Sequence, residues 1–115
     1  MHEASLAGGI LQLVEDSAKR EGFKRVTVLT LEVGKLANIE VQALKFSLEA
    51  IAPGTLLEGA RLVFEEPEGQ AWCMNCSQTV PLAQRGLACP QCGSYQLQPN
   101  AGLSLRVVDM LVLDV

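Results

Sequence analysis

The chain reads as an α+β fold: two helices packed on a three-stranded sheet, with a small cysteine-bearing module inserted between the second and third strands. Three observations predict it. Two stretches carry apolar residues at the 3.6-residue helical period. Three others are rich in β-branched or large apolar residues, as strands are. A segment of different composition, 68–100, separates the last two strands. Two helices on one face of a small sheet would bury both of their apolar stripes.

Residues 4–20 predict the first helix, with Leu6, Ile10, Leu13 and Val14 in one stripe. Lys19 and Arg20 suit the negative end of its dipole, and Gly22 suits its stop. Arg25–Val33 predicts a strand with apolar residues on both faces, so a sheet covered on both sides; Gly34 ends it. Asn38 is a good N-cap for a second helix over 39–52, whose stripe is Val41, Leu44, Leu48 and Ile51 and whose end is Pro53-Gly54. Ala60–Glu66 predicts the second strand and Leu103–Leu113 the third. The ends of the insertion should lie close together because the flanking strands can pair. The division expected is 1–67 with 101–115 as an α/β domain, and 68–100 as an inserted domain.

A chain of 115 residues, 49% of them apolar, builds one ordinary core; with 4% aromatics it must be made of Leu and Val. The net charge of −4 argues against a general binder of nucleic acid or anionic membrane, which needs a basic field. The N-terminus has no cationic n-region, and the apolar C-terminal run is short and carries Arg106 and Asp109. A cytoplasmic protein is expected.

The cysteine pattern carries the strongest chemistry. Cys73-x-x-Cys76 and Cys89-x-x-Cys92 are separated by twelve residues, 77–88. Each pair aims two thiolates from one tight turn at one point. Two such turns face to face supply the tetrahedral set of sulfurs that Zn²⁺ prefers, and a short hairpin fits between them. Pro90 stiffens the second turn and Gly93 permits a left-handed backbone after it. Two disulfides would suit an oxidising compartment. An iron site of the rubredoxin kind would suit Cys89-Pro90-x-Cys92-Gly93, but Ser77 stands where the first turn would need its glycine. Structural zinc fits best, and 68–100 reads as a zinc-ribbon-like module ordered by the ion, since its apolar content is low. Four protein sulfurs leave no open position for water, so catalysis at this metal is not expected.

The single histidine of the chain is His2. A free N-terminal amine at Met1, the His2 amide and the His2 imidazole can chelate one metal in adjacent rings, with the Glu3 amide or carboxylate as the fourth donor. The first four N–H groups of a helix have no partner within it. Square-planar, nitrogen-rich sites favour Ni²⁺ or Cu²⁺. A histidine near a frayed terminus is otherwise an inert surface group.

The set formed by Met1-His2-Glu3, a following Ser5, the helix, the strand closed by Gly34 and two late Cys-x-x-Cys pairs resembles the nickel metallochaperones that mature nickel–iron hydrogenases, the HypA/HybF family. The resemblance runs over essentially the whole chain. It implies nickel held at the N-terminus through His2, with Met1 and Glu3 contributing, and zinc on Cys73, Cys76, Cys89 and Cys92 in an inserted domain. It further implies Glu40 as a nickel-linked acidic residue; the alternative there is an ordinary carboxylate in the first turn of a helix. Delivery to the hydrogenase large subunit with a GTPase partner of the HypB type is expected, urease being a second client and a homodimer being left open. The chain carries no phosphate loop of its own.

Two other function classes compete. A zinc-ribbon adaptor or nucleic-acid module is disfavoured because Arg85 is the sole cation between Pro67 and Leu105. An enzyme is disfavoured because no histidine other than His2 is present and no nucleophile motif appears; Ser5 reads as an aid to helix initiation.

Overall fold

The computed structural model describes residues 2–114 and has the expected α+β architecture. The elements are α1 (His2–Glu21), β1 (Arg25–Val33), α2 (Val41–Ile51), β2 (Arg61–Glu65), β3 (Gln70–Cys73), β4 (Gln78–Pro81), β5 (Leu97–Ala101) and β6 (Leu105–Leu113). They form two three-stranded sheets, ordered β2-β1-β6 and β4-β3-β5. The chain forms two compact units, one of Met1–Leu31, Ile39–Phe64 and Val107–Val115, the other of Glu32–Asn38 and Glu65–Arg106.

In the first unit α1 packs against α2. The buried face of α1 is Ala7, Ile10, Val14, Ser17 and Ala18, so the expected stripe holds at Ile10 and Val14 but fails at Leu13, which is 49% exposed. Small residues take part of its place. Helix α1 stops as predicted: Gly22 adopts φ +85° and its N–H closes on the Ala18 carbonyl at 2.8 Å. The helix starts two residues earlier than the stripe suggests, so His2 and Glu3 lie in its first turn. Ser5 is therefore inside the helix and does not initiate it.

The cap of α2 is also a correction. Glu40, with extended backbone, is the N-cap, and its carboxylate accepts from the Gln42 N–H at 3.2 Å. Asn38 instead sits at φ +60°, a left-handed position that asparagine tolerates better than most residues. Both amino acids suit a turn before a helix, and only the chain path decides which becomes the cap. Leu44 and Leu48 carry the buried face of α2, Val41 and Ile51 its half-buried margins.

Strand β1 has the predicted limits, but it is not covered evenly. Leu29, Leu31 and Val33 are buried, whereas Val28, Thr30 and Glu32 on the opposite side are only partly so. Strands β2 and β6 do not pair with each other; both pair with β1, on opposite edges. The expected pairing of the strands flanking the insertion is therefore wrong. Both ends of the insertion are instead held by the chain just after β1. Within the second unit the Lys35 N–H donates to Pro67 O at 3.0 Å, Leu36 N–H to Gly102 O at 2.8 Å and Gly34 N–H to Ser104 O at 2.9 Å. This clamp is tight: a Cβ on Gly34 would lie 2.2 Å from the backbone of Gly102. Strand β6 starts at Leu105 rather than Leu103, because Gly102 turns the chain at φ +76°.

The second sheet was not anticipated. Antiparallel β3 pairs with β4 on one side and β5 on the other, Cys73 lying opposite Gln78 and Leu97. Low apolar content hides these strands, yet they build a small core. Ala71 and Leu82 pack with Leu36 and Leu97, and Cys73, Val80 and Cys89 form a second cluster. Leu36 belongs to the connection after β1, outside 68–100.

Candidate metal centres

The first Cys-x-x-Cys turn closes the β3–β4 hairpin, so the hairpin lies over the first knuckle and not between the two. Cys73 ends β3, the Ser77 N–H returns to the Cys73 carbonyl at 2.8 Å, and Ser77 takes φ +55°. The Cys76 N–H points at Cys73 Sγ, 3.3 Å away. The second turn repeats this geometry without a hairpin. The Gly93 N–H bonds the Cys89 carbonyl at 2.9 Å, Gly93 takes φ +77°, and Gln91 N–H lies 3.4 Å from Cys89 Sγ. Serine fills in the first knuckle the left-handed position that glycine fills in the second.

The four ligand atoms all lie within 4.8 Å of one another. Cys73 Sγ is 3.7 Å from Cys92 Sγ, and Cys76 Sγ is 3.9 Å from Cys89 Sγ. At these separations the four cysteines are free thiols, since sulfurs in a disulfide lie about 2 Å apart. Each knuckle thus contributes one member to each close pair, and both separations match the roughly 3.8 Å between sulfurs of a tetrahedral centre with Zn–S of about 2.3 Å. Soft sulfur in this number and spacing fits zinc.

Electrostatics inside the cage are uneven. Cys92 is brought down to about 6, first by the Asn75 side chain and then by the Ser94 N–H, while Cys76 is pushed up to about 12, first by its hydrogen bond to Cys92. Asn75 was missed by sequence reasoning. Its position inside the first Cys-x-x-Cys turn was the available signal.

At the N-terminus the structure brings three of the expected residues together. His2 is exposed and Glu3 mostly shielded, with His2 Nδ1 3.6 Å from Glu3 Oε2. The same Glu3 oxygen accepts the Glu40 N–H at 3.1 Å. That hydrogen bond is the main reason the Glu3 carboxyl is held below its ordinary range. Glu40 thus approaches with its backbone, while its own carboxylate caps α2. Among the described residues the four cysteines are the sole group of three or more ligand side chains within this reach of one another. Met1 lies outside the described residues.

A family model described as "Hydrogenase/urease nickel incorporation, metallochaperone, hypA" matches residues 1–112. The chain belongs to the HypA family. Hydrogenase maturation factor HypA of Polaromonas naphthalenivorans is 76% identical over 114 residues, covering 99% of both chains. The Cupriavidus necator factor is 66% identical over 114 residues, covering 99% of this chain and 96% of its own. The fold is similar to the solution structure of the Ni metallochaperone HypA from Helicobacter pylori, at a TM-score of 0.71 and 21% identity over 98% of each chain. The HypA family is thus one of nickel-incorporation and maturation factors, and its fold is that described above. No helix among the described residues is long and apolar enough to cross a membrane.

Proposed function

We propose that this chain binds Ni²⁺ at its N-terminus and passes it on for the maturation of nickel–iron hydrogenase. The carrying observation is the side chain of His2, exposed in the first turn of α1 and 3.6 Å from a shielded Glu3 carboxylate. The Met1 amine, the His2 amide and imidazole, and Glu3 supply the nickel donors. Amides in the first turn have no partner within the helix, so they can lose a proton to metal without breaking its ladder. Glu40 has one carboxylate oxygen on the α2 cap and acts through its N–H on Glu3. An exposed chelate exchanges ligands with an acceptor, which delivery requires and a buried cage would slow.

Zinc on Cys73, Cys76, Cys89 and Cys92 ties the two knuckles together and has a structural role. The division of labour is a nickel-binding domain of 1–67 with 101–115 and a zinc-binding domain of 68–100. The partners are a GTPase of the HypB type and the hydrogenase large subunit, with urease as a second client, in the cytoplasm. The high identity to hydrogenase maturation factors supports this choice.

The test is Ni²⁺ binding by titration calorimetry on untagged protein. His2→Ala, or one residue added before Met1, should abolish nickel binding and leave zinc content unchanged. Native nickel affinity in either variant would place the site elsewhere.

A further inference from the structure

The two knuckles come from unlike supports. The first is the turn of a hairpin, with Gln78 paired across the ladder to Cys73. The second is entered through residues 82–88, which form neither helix nor strand and are exposed from 83 to 87, and is anchored on its far side, where the Met74 N–H donates to the Gln96 carbonyl at 3.0 Å and β5 pairs with β3. The entry side of the second knuckle is thus the less supported one. Cys73 and Cys92, and Cys76 and Cys89, are cross-knuckle pairs. Besides bonds that involve a thiol, such as that of the Asn75 side chain with Cys92, Gln78 Nε2 donates to Gln91 Oε1 at 2.5 Å from one knuckle to the other, both residues exposed. Gln78 follows the first pair by two positions, and Gln91 sits inside the second. Gln91 is further fixed because its backbone N–H points at Cys89 Sγ. A neutral amide–amide bond of this kind adds no charge to the sulfur cage.

We propose that Gln78 and Gln91 form a clasp between the two knuckles, positioning residues that hold the four sulfurs together and slow the escape of the bound ion. The inference rests on the zinc reading above. Opening the cage requires the second knuckle to swing away from the first, and the clasp must break before it does. Because both amides are exposed, water competes for them and the effect is modest, roughly three- to tenfold in rate.

The experiment follows transfer of zinc from the full chain to excess chelator, for the native protein, Gln78→Ala, Gln91→Ala and the double variant. Each single variant should release zinc roughly three- to tenfold faster. The double variant should be no faster than either single, because each removes the same bond. Cobalt(II) substituted for zinc should give the same tetrahedral thiolate spectrum in all four proteins, since the ligands are unchanged. Gln78→Ser and Gln91→Ser, too short to bridge, replace any alanine variant that does not fold. Zinc-loaded variants with native release rates, or single effects that multiply in the double variant, overturn the clasp. A native chain carrying no zinc overturns the zinc reading and the clasp with it.

Discussion

The backbone N–H of Glu40 donates to the carboxylate of Glu3 at 3.1 Å, joining the first turn of α1 to the cap of α2 across 37 positions of sequence. This bond favours the charged carboxylate, so the folded-state pKa of Glu3 lies below its ordinary value of 4.5. A lowered carboxylate contributes stability that is complete above the unfolded pKa and is lost as pH falls through the folded one.

The first prediction follows from that sign. Glu3→Gln should melt below the native protein near neutral pH, and the gap should close as pH falls through and below the carboxylate range. Thermal melts by circular dichroism from neutral to acid pH measure it. A gap of constant size at all pH values would show that the charge of Glu3 has no part in the fold.

Capping supplies the second prediction. Glu40→Ala should cost about 1 kcal/mol in urea unfolding, and Glu40→Asp, a strong cap, should cost less. Asn38→Ser should also destabilise, by about 1 kcal/mol, because serine resists the left-handed backbone that asparagine accepts. If Asn38 were the cap, serine there would be neutral.

Metal content is the third. The purified chain should carry about one zinc, and Cys73→Ser should lose it. The thiol substituted lies at the end of β3, so amide exchange should quicken through β3, β4 and β5. The amides of α1 and α2 should keep their protection. A Cys73→Ser protein with full zinc would refute the four-sulfur assignment.

The fourth concerns Gly34. A methyl group there would meet Gly102 C and O at 2.2 Å, both backbone atoms that cannot swing aside. Gly34→Ala should therefore cost more than about 2 kcal/mol, well beyond an ordinary loop substitution. Gly8→Ala, in open space on α1, should be neutral or stabilising, since alanine is the better helix former. Chemical denaturation of the two variants makes the comparison.

Much of this protein was legible from residue type and spacing. The limits of β1, the stop of α1 at Gly22 and the gathering of Cys73, Cys76, Cys89 and Cys92 follow from local rules that read a few neighbouring positions at a time. His2 stood out because it is the single histidine and lies beside the terminus. Tertiary structure alone decided the rest, wherever the answer depends on what a distant segment presents. Strands β2 and β6 both pair with β1, because backbone hydrogen bonds carry no side-chain signature of their partner. The short strands of the cysteine unit borrow Leu36 for their core, so composition within 68–100 understates what can be buried there. Glu40 rather than Asn38 caps α2, because the path of the chain places one in extended and the other in left-handed backbone. Glu3 meets that cap, and Gln78 meets Gln91, through contacts that no periodicity encodes. Local sequence specifies which chemistry each segment carries; burial and backbone geometry, set by residues far away in the chain, determine which of those groups meet.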